Sequence, residues 1–270
     1  MKKLLTEILK IHPPSYRILK SIYSHYKNRK YLNYNLKNDL EYNENLLSNL
    51  ELDVKFIKSI LDKYGLSYHD QSLSWHYHLF VGFKRKFEKR KIDKILEIGT
   101  LNGEFTNFLS EIFPDTKIIS IDLNENDQSF TSTYNRDDPK KLSNFLEVRK
   151  KNLDKKNITF IKMSSLELEN NFKNKSFDLI WIDGDHLNPQ VTIDIFQCLK
   201  LIKRNGIICV DDVIKDNNNN NKYTSSESFK TLEYFNKLNL LKTSYLLKRV
   251  RGRNLDSKKF ISISLLKDFV

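Results

Sequence analysis

With 270 residues, 39% of them hydrophobic and 12% aromatic, the chain can fill the core of one α/β domain of ordinary size beside a smaller N-terminal piece. No apolar run reaches the length that a bilayer crossing needs, so a membrane span is excluded and a soluble, cytoplasmic protein is expected. The net charge of +12 raises nucleic acid as a partner, but the basic residues are spread along the chain in a Lys-, Asn- and Ile-rich background, which argues against one.

The opening MKKLLTEILKIHPP has a basic start and a short apolar stretch. Glu7 and Lys10 interrupt it and no small-residue cleavage site follows, so an amphipathic helix is expected rather than a signal peptide. Leu4, Leu5, Ile8 and Leu9 form its stripe, Pro13 and Pro14 end it, and a second helix runs from Tyr16 to about Tyr26. Asn33 to Asn49 is polar and reads as a loop or a loose helix. Val54, Ile57, Ile60, Leu61 and Tyr64 recur at spacings of three and four, predicting a helix that Gly65 terminates. The stretch Ser72 to Phe83 is unusually aromatic for a connector and is expected to pack against the main sheet or a ligand. These readings divide the chain into residues 1–80, a helical cap that contacts substrate or supports a homo-oligomer, and residues 81–270, the main domain.

From Lys94 short apolar runs alternate with helical stretches, the pattern of a parallel α/β sheet. Strands are expected at Lys94 to Ile98, Lys117 to Asp122, Ile158 to Met163, Phe177 to Asp183 and Gly206 to Asp211. Helices are expected at about 103–113, 139–152, 189–203 and 225–238, Asn188 and Pro189 serving as cap and first residue of the third. The Asn217 to Asn221 run reads as a surface loop. Ser244 to Arg251 and Lys258 to Leu266, joined by a turn around Gly252 to Asp256, predict a terminal antiparallel hairpin. The fold class is therefore a Rossmann-like, mostly parallel sheet with a C-terminal hairpin, preceded by a helical region. Cys198 and Cys209 sit in apolar segments and are expected as buried, reduced thiols. The basic runs Lys84 to Lys86, Lys89 to Lys91, and Lys248 and Arg249 with Arg251 and Arg253, read as solvated faces.

Two motifs carry chemistry. The first is KILEIGTLNG, Lys94 to Gly103, an apolar strand entering a glycine turn that opens a helix. Gly99 and Gly103 let backbone approach a ligand closely, and the helix start offers N–H groups to a polar or anionic group. Asp122 ends the next strand about twenty residues on, where a carboxylate accepts ribose hydroxyls in this topology. Ser164 and Ser165 end the third strand and are either adenine neighbours or plain turn formers. The second motif is FDLIWIDGDH, Phe177 to His186, followed by GIICVDD, Gly206 to Asp212. Strand ends of an open parallel sheet face the ligand crevice. Asp183, Asp185, Asp211 and Asp212 are thus expected to converge, and to need a cation among them or a raised pKa.

On these residues the chain from about Ile92 to Asp212 resembles the O-methyltransferase branch of the class I S-adenosylmethionine-dependent methyltransferases, whose first motif has the ExGxxxG spacing and whose fourth and fifth strands end in IDGDH-like and DD or DN elements. The resemblance implies S-adenosylmethionine as cofactor, held by Glu97, Gly99, Thr100, Gly103, Asp122, Ser164, Ser165 and Asp183. It implies a small hydroxylated metabolite or sugar as acceptor. In the divalent-metal members, such as catechol and caffeoyl-coenzyme A methyltransferases, the metal ligands map onto Asp183, Asp211 and Asp212. Asp212 stands where those enzymes commonly have Asn, which leaves Mg²⁺ open. His186, titrating near neutrality beside the transfer site, is the candidate base, and Asp183 is the other candidate catalytic residue; alternatively His186 is structural, bonding a neighbouring carboxylate, and His76 or His78 is the base. Three rivals rank lower: a nucleic-acid methyltransferase, for which no RNA-binding module or base-flipping NPPY-like element is found; a non-catalytic protein keeping the fold; and a nicotinamide oxidoreductase, disfavoured because Leu101 replaces the middle glycine of its fingerprint.

Overall fold

The computed structural model describes residues 35–134, 136–215, 225–250 and 258–267. The helices expected before residue 30, the Asn217 to Asn221 run, the Gly252 to Asp256 turn, Arg251 and Arg253 lie outside them.

Three helices precede the sheet. α1 (Leu36–Asn49) occupies the stretch expected as a loop or loose helix. Its buried face carries Asn43, fully buried, as well as Leu47, so hydropathy alone under-reads it. Asn43 is satisfied by exchanging two hydrogen bonds with the Leu247 backbone, 3.0 and 2.8 Å. α2 (Val54–Lys63) starts at Asp53, whose side chain accepts from the Phe56 N–H, and buries Ile57 and Leu61 four residues apart. Gly65 follows it with φ of 69°, the left-handed conformation that ends a helix. α3 (His76–Lys86) is formed by most of the aromatic stretch and buries His78, Leu79, Phe80, Val81, Gly82 and Phe83.

The sheet has seven strands in the order β3-β2-β1-β4-β5-β7-β6. β1 (Lys94–Ile98), β2 (Lys117–Asp122), β3 (Ile158–Lys162), β4 (Phe177–Ile182) and β5 (Ile202–Ile214) are parallel. β6 (Leu241–Leu247) and β7 (Lys259–Leu266) form the antiparallel hairpin against β5. Between strands run α4 (Glu104–Ile112), the single turn α5 (Gln128–Thr131), α6 (Pro139–Leu153), the single turn α7 (Leu168–Asn171), α8 (Gln190–Leu201) and α9 (Glu227–Lys237). Pro189 takes the cap position of α8, one residue later than expected, and Asn188 accepts from the Thr192 hydroxyl.

Every residue of β4 is buried, as helices on both faces require. Alternation along the strands splits the core. Ile95, Leu179, Trp181, Ile207 and Cys209 pack with α1 to α4, so the N-terminal helices and the sheet share one hydrophobic cluster. Leu96, Ile98, Ile180, Ile182, Ile208 and Val210 pack with α8 and α9 on the other face. Both cysteines are free and buried. No helix among the described residues is long and apolar enough to cross a membrane.

Candidate active site

The glycine turn lies between β1 and α4. Gly99 has φ of 96°, and a Cβ there would come 2.2 Å from the Asp183 carbonyl oxygen. Gly103 has φ of 76° and a Cβ would press on Leu153 of α6 at 3.0 Å. Both glycines therefore serve first to let the turn pack against β4 and α6. Glu97 and Thr100 turn inward. Glu97 is 1% exposed, and its carboxylate accepts from the Thr106 and Ser120 hydroxyls. The Thr100 hydroxyl meets that of Ser120 at 2.6 Å. The Glu97 side chain thereby ties β1 to α4 and β2 and holds the turn in place. Burial, only partly offset by the two hydroxyls, raises its pKa to about 7.

Asp122 stands at the end of β2 as expected, and its carboxylate is tightly positioned. Oδ1 accepts from the Leu123 N–H at 2.8 Å and Oδ2 from the Leu101 N–H at 3.1 Å and Arg149 Nη2 at 3.0 Å. Arg149, from α6, also donates to the Leu101 carbonyl at 2.7 Å and lies over the rings of Phe130, Phe145 and Phe160. Burial raises the Asp122 pKa, with Arg149 opposing it. A carboxylate offers about four lone-pair directions, so acceptor capacity remains on Oδ1. Arg149 was not found from sequence, because nothing in a Lys-rich helix marks the one cation that turns inward. Ser164 accepts from the Leu166 N–H and caps a single 3₁₀ turn (Ser165–Glu167), and Ser165 accepts from Gln190 at 2.8 Å. Both therefore hold the loop.

At the ends of β4 and β5 three of the four expected acids come together. Asp183 lies close enough to Asp211 and Asp212 for both to disfavour its charge. Asp185 stands apart, exposed, accepting from the Leu187 N–H at 2.9 Å. Successive residues of a regular strand point to opposite faces. Here the register of β5 against β7 shifts between Val210 and Val213, and Asp212 has φ of 50°. This bulge directs Asp211 and Asp212 onto the same partner. That partner is Lys248, whose Nζ contacts Asp211 Oδ2 and lies 2.6 Å from Asp212 Oδ1. Lys259 Nζ reaches Asp212 Oδ2 at 2.5 Å. Lys248 is 8% exposed, which corrects its reading as part of a solvated face. Burial pulls its pKa down, but Asp211, Asp183 and Asp212 outweigh that and leave it raised. Asp212 is lowered despite burial, because Lys248 and Lys259 stabilise its charge. Asp183 is raised well above the usual carboxylate range by burial and by Asp211.

Among the described residues no group of three or more His, Cys, Asp and Glu side chains is arranged to hold a metal ion. The ammonium of Lys248 already sits on Asp211 and Asp212, so the mapped Mg²⁺ ligands do not fit a divalent ion as they stand.

His186 Nε2 is 3.7 Å from Asp183 Oδ1, and its Nδ1 has no hydrogen-bond partner among the described residues. Burial lowers its pKa, so the ring is neutral at pH 7. His78 is committed elsewhere: Nε2 meets the Tyr68 carbonyl at 3.0 Å and the ring stacks on Trp75 at 4.3 Å. His76 packs edge-on against Phe105 at 4.4 Å and lies 5.3 Å from Trp181. Both its ring nitrogens are buried without a partner among the described residues.

Residues 96–213 match the family model of a methyltransferase domain. The fold is also that of an O-methyltransferase from Bacillus cereus solved in complex with SAH, at 18% identity, covering 84% of this chain and 97% of that one, with a TM-score of 0.50. A SAH-bound methyltransferase from Podospora anserina is similar at 17% identity over 74% of this chain and 81% of that one, TM-score 0.50. Among curated proteins no sequence matches the chain.

Proposed function

We propose, on the premise that residues 96–213 form a class I methyltransferase domain that uses S-adenosylmethionine, that the acceptor is a hydroxyl group of a small metabolite or sugar. One observation carries this reading: the glycine turn, Asp122 and the pair of Asp183 and His186 stand at the carboxyl ends of adjacent strands β1, β2 and β4, and Gly99 touches Asp183 directly.

When bound, the cofactor supplies a sulfonium methyl group whose leaving group is a neutral thioether, so the protein mainly orients the acceptor and excludes water. Asp122 would hold the ribose hydroxyls, its direction set by Leu101, Leu123 and Arg149. Burial keeps His186 neutral, and it would serve as the base that takes the acceptor hydroxyl's proton. Asp183 stands 3.7 Å from Nε2 of that ring. A nucleic-acid acceptor is disfavoured, because Lys248, Lys259 and Arg149 around the crevice are engaged by the protein's own acids.

Calorimetric titration with S-adenosylmethionine and separately with NAD⁺, on wild type and Asp122→Ala, tests this reading. S-adenosylmethionine is expected to bind and NAD⁺ not, and Asp122→Ala to weaken binding about 100-fold through loss of charge-assisted hydrogen bonds. Incubation with a panel of sugars and phenols, read by mass spectrometry, then identifies the methylated acceptor. Folded wild-type protein that binds no S-adenosylmethionine would leave a fold-keeping, non-catalytic protein.

A further inference from the structure

The acids at the ends of β4 and β5 raise a question of charge. Three carboxylates, Asp183, Asp211 and Asp212, share one small site, and the Asp211 side chain is 1% exposed. Such a group is costly without a cation in contact. The hairpin delivers one, Lys248, held there by backbone hydrogen bonds. Asn43 of α1 holds Leu247 by two hydrogen bonds, the Lys248 N–H donates to the Lys259 carbonyl at 2.9 Å, and the Lys248 carbonyl accepts from the Trp75 N–H at 2.8 Å. The lysine at the end of β6 is thereby placed by α1, by the start of α3 and by β7 at once. A surface lysine needs none of this.

We infer that Lys248 is the resident cation of this site, its ammonium standing between Asp211 and Asp212 where a divalent ion would otherwise sit, and that the protein transfers methyl groups without a metal at these acids. The inference deepens the methyltransferase reading and rests on it only for the word transfer; the cation assignment stands on geometry alone. An ammonium has three N–H donors and no acceptor. Two go to Asp211 and Asp212, and the third remains to hold the acceptor oxygen while its negative charge develops. Lys259 supplies the second charge to Asp212, so two ammonium groups face three carboxylates. A divalent ion would have to displace Lys248 from a carboxylate that water does not reach.

Mn²⁺ binding, followed by electron paramagnetic resonance on the full chain, tests this directly. Wild type is expected to show no saturable binding below about 1 mM, a range in which even weak all-oxygen sites fill. Lys248→Met, close in shape and uncharged, is expected to gain a saturable Mn²⁺ site at least 10-fold tighter. It is also expected to melt roughly 5–10 °C lower, because Asp211 loses its partner, and to recover when Mn²⁺ is added. Saturable binding to wild type that Asp211→Asn abolishes would overturn the inference, and this arm needs no destabilised variant. A folded Lys248→Met that gains no Mn²⁺ site would overturn it as well. Calorimetry of wild type with S-adenosylmethionine, run beside it, separates the two readings: absent cofactor binding removes the methyltransferase function and leaves the Mn²⁺ comparison intact.

Discussion

At the ends of β1 and β2 a single carboxylate, Asp122, is met by two backbone N–H groups and by Arg149, all delivered by the glycine turn, the loop after β2 and α6. At the ends of β4 and β5 two of three clustered carboxylates, Asp211 and Asp212, are met by two lysines of the terminal hairpin. The first half is assembled from chain within about thirty residues of Asp122. The second joins acids to cations 36 to 47 residues away and depends on α1 and α3 to aim Lys248. A short-range site tolerates changes elsewhere in the fold, whereas the long-range one registers any shift of the hairpin or the N-terminal helices.

Gly99 is where the halves touch, and Gly99→Ala is expected to have the largest effect. A Cβ 2.2 Å from the Asp183 carbonyl, at φ of 96°, cannot be relieved by side-chain motion, and a loss of about 4 kcal/mol or more is expected in urea unfolding. A loss under 1 kcal/mol would mean the halves are not in contact there.

Glu97→Gln sharpens the account of the first half. Its folded pKa of about 7 lies above the ordinary 4.5, so the folded state holds the proton more tightly than the unfolded state. Stability from this group is complete below pH 4.5 and is lost as pH rises to about 7. Glutamine mimics the protonated form at every pH. Its advantage over wild type is expected to grow from nearly nothing at pH 4.5 to about 3 kcal/mol above pH 7. Urea melts of both proteins at pH 5 and pH 8 measure this, and a gap that does not widen with pH would place Glu97 in a wetter setting than its burial indicates.

The smallest effect is expected at Ser164→Ala. Losing the cap on Leu166 costs about 1 kcal/mol, and S-adenosylmethionine affinity is expected to change less than about twofold, since the hydroxyl serves the loop. A larger loss of affinity in calorimetry would restore Ser164 as an adenine neighbour.

Much of the fold was legible in sequence because its signals are local. The bounds of β1 and β2 agree with the expected runs residue for residue, since a buried parallel strand is a short apolar run bracketed by turn formers. The α1 helix was under-read because Asn43 occupies a core position, and a buried amide looks polar until its partner at Leu247 is seen. Glu97 shows the converse: an acid in a ligand-binding motif whose carboxylate is absorbed by two hydroxyls from α4 and β2.

The sequence by itself determined the alternation of strand and helix, the place of the glycine turn, and the arrival of Asp122, Asp183, Asp211 and Asp212 at one edge of a sheet. These follow from periodicity and from the rule that parallel strands end on the same side. Only the tertiary structure decided which charges meet: that Arg149 turns inward, that a bulge puts Asp211 and Asp212 on one partner, and that Lys248, written in a basic run like any surface lysine, is buried between them. Pairing across a sheet depends on register and on which helix covers which strand, and neither leaves a mark in the local pattern of residues.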